Sequence, residues 1–503
     1  MTNKYSNDSI KTLDYFEHIR KYPGMYIGSK TSDGLHHLVK EIVSNSVDEY
    51  LNGAGTTVKV TIMADGSIKI EDDARGIPIG EHSKGISTLR ACFGMPNTGG
   101  KFNNVTGQTG YNTSGGEHGL GAKAVNALST KLVVSTSNGK QVQTVTFSRG
   151  KFVSEQLSDT PQHSGLSVWF YPDGEVLETT NFDAARIMGM LEELSYLSAG
   201  LKFVFKDERT GISKTYLSKN GMRDFINSLR GKRKFLFEPL IFSREDGTFK
   251  VDVAFAYCDG SSGVETKLYT NNVPQERGTH LTGFKTAFTS SVNSIARACG
   301  LLKEKDENLK GKELESGQLI IINFKMIDPI FKGQNKEELT SSEGRTYVQR
   351  LCGKAFDEYF ASHRKELKII VDRGLSFRKA KAAANKAMDR VLRPKANKQT
   401  LKEKLSLSDK YIGCSSKNPA ECELLLVEGN SACSSAVEAR DPRTQAIMML
   451  RGKVINALRS SEERVLKNQE YHDIIEAIGA GFGKSFDVRK MNFDKIVITS
   501  DAK

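Results

Sequence analysis

The sequence predicts a multidomain α/β protein. Its 503 residues exceed the length of one ordinary domain, so about two to four domains are expected. Helical patterns alternate with short strand patterns up to about residue 220, and a second run of both covers about 222–395. Hydrophobic residues make up 38% of the chain and charged residues 26%, which is ordinary for a globular protein that buries a sizeable core.

The net charge, the cysteine content and the hydropathy limit the kinds of partner and location that we expect. The formal net charge of +12 suits a polyanionic partner, although charge alone says nothing about the fold. The seven cysteines include no pair at CxxC spacing, so we expect neither a disulfide framework nor a zinc site, and a reducing cytoplasm is the default location. No run of about 18 apolar residues is present, and we therefore expect no membrane partner.

The first segment with chemical interest is a predicted helix over about 34–51. Apolar residues recur there at helical spacing: Leu35, Leu38, Ile42 and Val43. Glu41 and Asn45 lie four positions apart and therefore share one helix face. A carboxylate and a carboxamide beside core residues are costly unless they meet a ligand, a metal ion or water. Taken alone, a pair satisfied by solvent or capping explains them as well.

A predicted hairpin follows, with strands at 58–62 and 67–70 and a turn at Ala64-Asp65-Gly66. An acidic segment that contains Asp72 comes directly after the second strand. A carboxylate at a strand end can accept a hydrogen bond from an adenine amino group. A plain acidic turn is an equally good interpretation of this segment by itself.

The third feature is a glycine-rich stretch over 94–121, which ends where the next helix begins. Glycines allow backbone N–H groups to approach phosphate oxygens, and a helix N-terminus attracts negative charge. A glycine cluster alone is also compatible with a mobile loop. The order of the three features is more specific than any one of them.

In that order, the sequence resembles the ATPase superfamily of gyrases, chaperones, histidine kinases and mismatch-repair proteins, and within it the gyrase and topoisomerase IV B subunits. The motifs that carry the resemblance are Arg20-Lys21-Tyr22-Pro23-Gly24-Met25-Tyr26-Ile27-Gly28, Leu35-His36-His37, Asp72-Asp73-x-Arg75-Gly76-Ile77-Pro78 and Gly115-Gly116-x-His118-Gly119-x-Gly121. The resemblance covers almost the whole chain. It implies a Bergerat-type α/β sandwich ATPase domain over 1–221, a ribosomal-protein-S5-like transducer domain over 222–395, a linker over 396–413 and a partial Toprim domain over 414–503.

The resemblance also implies roles for single residues. Glu41 would be the general base that orients the attacking water, Asn45 would bind the Mg²⁺ on the phosphates, and Asp72 would accept the adenine amino group. The remaining residues of the implied ATP site are Tyr5 (from an N-terminal arm that reaches the other protomer), Ile77, Lys101, His118, Gly119, Leu120, Gly121 and Lys123. The implied cofactors are ATP and Mg²⁺.

Two positions depart from the family pattern on the adenine side. Ala74 stands where glycine is usual, and Leu166 stands where the family has a threonine that bridges water to the adenine. Ser167 is the nearest hydroxyl that could compensate. We expect these departures to affect adenine affinity more than hydrolysis.

In the second domain, the segment 328–336 resembles the family's switch loop. Lys336 would reach the γ-phosphate as a second catalytic residue, with Gln334 beside it; a surface lysine on a loop is the alternative. In the third domain, Glu428 and Asp501 match two Toprim Mg²⁺ ligands, while Asn430 replaces an acidic residue of the motif. Lys503 stands where a further aspartate is expected, so the implied metal site is incomplete in this polypeptide. A truncated chain and a domain completed by a separate polypeptide both explain this.

The segment 364–402 carries 13 Lys or Arg residues against three Asp or Glu residues. A solvated helix face and a phosphate-facing helix are both compatible with that pattern. We predict the ATP-hydrolysing subunit of a type II DNA topoisomerase, located in the cytoplasm of a bacterial or virus-infected bacterial cell. Its partners would be double-stranded DNA, a second copy of itself, a gyrase-A-like cleavage subunit and a polypeptide that completes the Toprim domain.

An ATP-gated DNA clamp without strand passage is the alternative function, and Asn430 favours it. A chaperone-type ATPase is disfavoured by the Toprim-like segment, which chaperones of this superfamily lack.

Overall fold

The computed structural model describes residues 12–100, 119–160, 163–260, 263–333, 336–392, 410–450, 456–457, 460, 464–465, 468–483 and 486–499. The chain divides into two compact units, Met1–Leu375 and Ser376–Lys503. The four-part domain division derived from the resemblance stays a prediction. Among the described helices, none combines the length and the low polarity needed to span a bilayer.

Helices and strands alternate along the first unit, as the sequence predicts. The helices are α1 (Tyr15–Lys21), α2 (Gly24–Ile27), α3 (Ser32–Leu51), α4 (Thr88–Gly94), α5 (Gly121–Ala127), α6 (Ala184–Leu197), α7 (Met222–Arg230), α8 (Thr279–Ala298), α9 (Gly311–Leu314), α10 (Ser342–Ser362) and α11 (Arg364–Leu392), the last of which continues into the second unit. The strands are β1 (Thr57–Ile62), β2 (Ile68–Asp72), β3 (Glu81–His82), β4 (Ile86–Ser87), β5 (Ser129–Ser137), β6 (Val142–Ser148), β7 (Lys151–Ser158), β8 (Gly165–Pro172), β9 (Lys202–Asp207), β10 (Ile212–Tyr216), β11 (Leu240–Asp246), β12 (Phe249–Tyr257), β13 (Glu265–Thr270), β14 (Val273–Gln275), β15 (Arg277–Gly278), β16 (Gln318–Lys325), β17 (Phe331–Lys332) and β18 (Glu338–Leu339).

An eight-stranded sheet forms the N-terminal part, in the order β10-β9-β1-β2-β8-β5-β6-β7. The predicted hairpin is confirmed, with β1 and β2 antiparallel and Val58 opposite Asp72. Alternate residues of β2, β5 and β8 are buried, as expected for strands with one face on a core. Helices α3 and α6 contribute their apolar faces to the same core.

A five-stranded sheet follows, in the order β11-β12-β16-β13-β14. Every residue of β16 except the last is buried, because apolar side chains cover both faces. Helices α8 and α10 pack on one face with the phenylalanines Phe284, Phe288 and Phe356, while Phe225 and Ile226 of α7 pack on the other. The long helix expected near 347–392 is two helices, since α10 ends at Ser362 and the backbone of the next residue, His363, leaves the helical region.

A small three-stranded sheet has the strand order β15-β18-β17. Strands β17 and β18 are antiparallel, and Gly278 of β15 pairs with Leu339 of β18. The segment between β17 and β18 includes Lys336, so the predicted switch lysine lies in the connection of a hairpin.

Beyond α11, the described residues of the second unit form a four-stranded sheet with α-helices between its strands. Its elements are β19 (Tyr411–Ile412), β20 (Glu423–Glu428), α12 (Gly429–Ala439), β21 (Gln445–Leu450), α13 (Gln469–Ile478) and β22 (Lys495–Thr499). The strand order is β19-β21-β20-β22, and β20 is parallel to both of its neighbours. Leu424, Leu426, Ala446 and Met448 form the centre of its core. Glu428 therefore lies at the carboxyl end of a central strand.

Candidate functional site

Helix α3 positions the first functional carboxylate. Thr31 caps the helix by accepting a hydrogen bond from the Asp33 N–H, and a continuous buried stripe anchors the helix to the core. Glu41 lies on the edge of that stripe, and its Oε1 is 3.2 Å from Nε2 of His37 one turn earlier. The sequence analysis missed His37, although its spacing of four residues from Glu41 was a usable signal.

Cations determine the charge state of Glu41. Burial raises the pKa of this carboxyl, but the hydrogen bond from His37 and the positive charges of Lys336 and Lys40 outweigh burial and lower it to about 2. Glu41 is therefore an anion at neutral pH. Burial also lowers the pKa of Lys40 to about 8, with Lys336 acting in the same direction and Glu41 opposing it.

The N-terminus of α5 lies directly against this carboxylate. A Cβ atom on Gly121, the first residue of α5, would be 2.0 Å from Oε2 of Glu41, so any larger residue would displace this carboxylate or the helix. Gly119 has a φ of +57°, a left-handed conformation that also favours glycine. Leu120, between them, is the N-cap residue of α5. The predicted phosphate-binding glycines and the predicted base are thus neighbours in space.

Asp72 is the second carboxylate, at the end of β2. Its Oδ2 accepts a hydrogen bond of 2.6 Å from the Ser46 hydroxyl, and its Oδ1 accepts bonds of 3.2 Å from the N–H groups of Ala74 and Leu166. Burial raises the pKa of Asp72, while these hydrogen bonds oppose the rise. A carboxylate has about four acceptor positions, so three protein donors leave room for one ligand donor.

The structure defines how the two adenine-side departures are accommodated. The Leu166 side chain packs on the core, while its N–H holds Asp72. Ser167 pairs with Glu71 in the β2–β8 register, so it lies on the opposite sheet face from Asp72 and does not compensate. Ala74 is buried, with 3% of its surface exposed, and its Cβ lies against Gly55.

Ile77 is held by its backbone. The Thr136 hydroxyl accepts a hydrogen bond from the Ile77 N–H and donates one to the Ile77 carbonyl oxygen. Gly76 makes this close approach possible, because a Cβ there would be 2.6 Å from Oγ1 of Thr136. Thr136, which the sequence analysis missed, therefore fixes the backbone that follows Asp72.

The predicted ATP-binding residue Lys123 has a buried side chain. It is 1% exposed, its Nζ donates a 2.5 Å hydrogen bond to the Thr98 carbonyl oxygen, and burial lowers its pKa to about 8. Its charge supports the segment after α4, and its assignment to ATP stays a prediction.

Several predicted site residues lie outside the described part of the chain: Tyr5, Lys101, His118, Gln334 and Asp501. Asn45 lies on α3, one turn after Glu41, and Glu428 is exposed at the end of β20. Within the described residues, no group of three or more His, Cys, Asp or Glu side chains is arranged for a metal ion.

The carboxylate of Glu41 lies against the glycine that begins α5, Asp72 lies at the end of β2, and helices cover the mixed sheet. These are the features expected of an ATPase of the class that the sequence resembles. A family model described as histidine kinase-, DNA gyrase B-, and HSP90-like ATPase matches residues 30–173, and the DNA gyrase B model matches residues 221–390.

The relatives are similar over nearly the whole chain. The chain is 37% identical to the B subunit of DNA gyrase from Clostridium acetobutylicum, covering 99% of this chain and 77% of that protein. It is 39% identical to the B subunit of DNA topoisomerase 4 from Streptococcus pneumoniae, with the same coverage of each. The 43K ATPase domain of Thermus thermophilus gyrase B, crystallised with an aminocoumarin, superimposes with a TM-score of 0.61 at 31% identity, covering 75% of this chain and 98% of that domain.

The chain belongs to the family of gyrase B and topoisomerase IV B subunits, the ATPase subunits of type II DNA topoisomerases. The resemblance inferred from the sequence is confirmed, together with the ATPase fold and the gyrase B transducer domain. The Toprim assignment of the second unit stays a prediction.

Proposed function

We propose that this chain hydrolyses ATP to drive strand passage by a type II DNA topoisomerase. In this proposal, two copies dimerise when ATP binds and close a gate that captures a DNA segment, while a gyrase-A-like subunit cleaves the other duplex. The observation that carries the proposal is the contact between the Glu41 carboxylate and the start of α5 at Gly121, with Lys336 close enough to lower the pKa of Glu41.

The residues of the site divide the work between binding and hydrolysis. Asp72 would accept the adenine amino group at its free acceptor position. The backbone N–H groups at Gly119, Leu120 and Gly121 would hold phosphate oxygens at the start of α5. Glu41 would orient and polarise the attacking water, since catalysis of phosphoryl transfer consists mainly of positioning and charge stabilisation.

The residues also fit Mg²⁺. Asn45 provides an amide oxygen one turn from Glu41, and oxygen ligands on a phosphate-bound Mg²⁺ are the usual arrangement. When bound, the ion would neutralise charge on the phosphates. Glu428 would be one ligand of a separate Mg²⁺ in the Toprim-like unit, together with Asp501.

Lys336 would couple hydrolysis to movement. It lies in the β17–β18 connection of the transducer domain and acts electrostatically on Glu41 in the ATPase domain. A lysine that binds the γ-phosphate loses that contact when the phosphate leaves, and the two domains are then free to rotate.

The DNA partner is supported by charge. Exposed cations on α11 include Arg364, Lys365, Lys379 and Lys381, and the chain has a net charge of +12. Phosphate contacts of this kind supply affinity without sequence preference. Because DNA is the proposed substrate, we propose the bacterial cytoplasm as the location.

The test combines the chain with a purified gyrase-A-like subunit, and with a complement for the Toprim domain where needed. We expect an ATP- and Mg²⁺-dependent change in DNA linking number that Glu41→Gln abolishes. A full change in linking number with Glu41→Gln would overturn the assignment of the base.

The alternative function, a DNA clamp, gives a different result in the same assay. A clamp would dimerise with a non-hydrolysable ATP analogue and retain closed circular DNA, yet leave the linking number unchanged with every complement supplied. Asn430 in the place of an acidic Toprim residue is the observation that favours it.

A further inference from the structure

Two cysteines in the second unit are in direct contact. Sγ of Cys414 lies 3.7 Å from Sγ of Cys422, and both sulfur atoms lie within 4 Å of the Ser416 carbonyl oxygen, at 3.9 and 3.8 Å. Cys414 is half-buried and Cys422 is buried, and neither is in a disulfide. A disulfide bond is about 2.0 Å long, so the two sulfur atoms need to approach by only about 1.7 Å to form one.

The backbone around the pair is already held in place. Nη1 of Arg440 donates hydrogen bonds of 2.9 Å to the Gly413 carbonyl oxygen and 2.6 Å to that of Gln445. The N–H of Ser416 donates to the Arg443 carbonyl oxygen at 2.8 Å. These bonds fix the segment between β19 and β20 against the chain that enters β21. The thiols therefore meet without a search through loop conformations.

We propose that Cys414 and Cys422 form a redox-active dithiol that closes reversibly to a disulfide. The more exposed Cys414 attacks oxidised glutathione, forms a mixed disulfide and releases one glutathione thiol. Cys422 then attacks the Cys414 sulfur and releases the second glutathione thiol. The two cysteines lose two electrons and two protons, and one glutathione disulfide becomes two thiols.

Burial and the contact with Cys422 raise the pKa of the Cys414 thiol. The thiolate is the attacking species, so the exchange accelerates as the pH rises. The closed disulfide would pin the segment that enters β20, the strand that ends at Glu428. This inference stands on the thiol geometry and does not depend on the proposed ATPase mechanism.

Cys433 is the natural control. It lies in the same unit on α12, where it is half-buried against Val427, Ile447 and Met449, a different cluster from the one that contains Cys414 and Cys422. Trypsin cleaves after Lys410, Lys417 and Arg440, which places Cys414 on peptide 411–417 and both Cys422 and Cys433 on peptide 418–440. Only variants can tell the two partners apart.

The experiment treats the full chain with oxidised glutathione, blocks the remaining thiols and maps tryptic peptides without reduction. We expect peptides 411–417 and 418–440 to be cross-linked, and the number of free thiols to fall by two from seven. Cys433→Ser should leave the cross-link unchanged, Cys422→Ser should abolish it, and dithiothreitol should restore seven free thiols in the wild-type chain.

Three results would overturn the proposal. The first is a stable glutathione adduct on Cys414 with no cross-link. The second is a cross-link that Cys433→Ser removes, and the third is seven free thiols after prolonged exposure at alkaline pH. The wild-type measurements remain decisive even where a serine variant folds poorly.

Discussion

The carboxylates of Glu41 and Asp72 belong to one candidate site, yet cations surround the first and neutral donors surround the second. His37, Lys40 and Lys336 act on Glu41 and lower its pKa to about 2. One hydroxyl and two backbone amides hold Asp72, whose pKa is raised by burial. Each environment suits a different partner: a water molecule beside phosphates for Glu41, and one further neutral donor for Asp72.

The comparison sharpens the role of Glu41. A carboxyl with a pKa of about 2 is a weak base at neutral pH, whereas general bases work best with pKa values near the operating pH. The negative charge of a bound triphosphate would offset the surrounding cations and raise this pKa. In the proposed function, Glu41 would therefore become a better base only when the substrate is in place, and its main contribution would be to orient and polarise water.

The largest effect is expected from Glu41→Gln. The amide keeps the volume beside Gly121 but cannot accept a proton, so the ATPase kcat should fall by about 10²–10⁴-fold. Affinity for a non-hydrolysable ATP analogue, measured by calorimetry, should change by no more than several-fold. A variant with wild-type kcat would show that another group activates the water.

Gly121→Ala tests the contact between α5 and the carboxylate. The added Cβ would be 2.0 Å from Oε2 and 2.7 Å from Cδ of Glu41, so the Glu41 side chain or α5 must move. A displacement of about 1 Å at a reacting group costs about 10²-fold in rate, and we expect kcat to fall by that order.

Gly189→Ala is the matched control for this prediction. Gly189 lies inside α6, and an added Cβ would have no neighbour within 4 Å. It should leave the steady-state ATPase rate unchanged and stabilise the chain by about 0.5–1 kcal/mol, because alanine has the higher helix propensity. An equal loss of rate in both variants would mean that the loss in Gly121→Ala does not arise from the contact with Glu41.

Asp72→Asn tests the other carboxylate and should separate binding from stability. The amide cannot accept the adenine amino group through the same charged oxygen, and ATP affinity should fall by about 10–100-fold, as for the loss of a hydrogen bond to a charged group. Because folding raises the pKa of Asp72, its contribution to stability is largest at acidic pH and is lost as the pH rises through the folded pKa. At neutral pH the nucleotide-free variant should therefore have a higher Tm than the wild-type chain.

The contribution of Glu41 to stability depends on pH in the opposite direction. Its folded pKa lies below the ordinary glutamate value, so its stabilisation is present at neutral pH and is lost as the pH falls toward 2. Thermal unfolding of Glu41→Gln and Asp72→Asn between pH 3 and 7 should give shifts in Tm of opposite sign at roughly pH 6–7. Shifts of the same sign would contradict the electrostatic contrast between the two groups.

Single helices and hairpins could be predicted from the spacing of residues in the sequence, whereas contacts between elements could not. The apolar spacing of Leu35, Leu38 and Ile42 predicts α3, and the turn at Asp65-Gly66 predicts the β1–β2 hairpin. The contact between Glu41 and Gly121 joins residues that are 80 positions apart, and no periodicity reports on it.

Other contacts could not be predicted from the sequence because backbone groups make them. From the sequence, Leu166 shows only that the family's threonine hydroxyl is absent. In the structure its backbone N–H donates a hydrogen bond to Asp72, and the identity of a side chain does not predict such a bond. The Cys414–Cys422 contact is of the same kind, because loop hydrogen bonds and not a cysteine motif bring the sulfur atoms together.

The smallest expected effect is that of Ser46→Ala, which removes the hydroxyl that donates 2.6 Å to Oδ2 of Asp72. A single hydrogen bond of this kind contributes about 1 kcal/mol, so ATP affinity should fall by roughly 3–10-fold. Ser44→Ala, on the same helix but outside the donors to Asp72, should leave the affinity unchanged.

The pH dependence of binding makes the Ser46 test specific. The hydrogen bond from Ser46 opposes the rise that burial causes in the pKa of Asp72, so its removal should raise that pKa further. ATP binding by Ser46→Ala should then weaken at a higher pH than binding by the wild-type chain when the pH is lowered. An unshifted acid limb together with reduced affinity would mean that Ser46 acts on the nucleotide through packing, and the environment of Asp72 would then depend on the two amides alone.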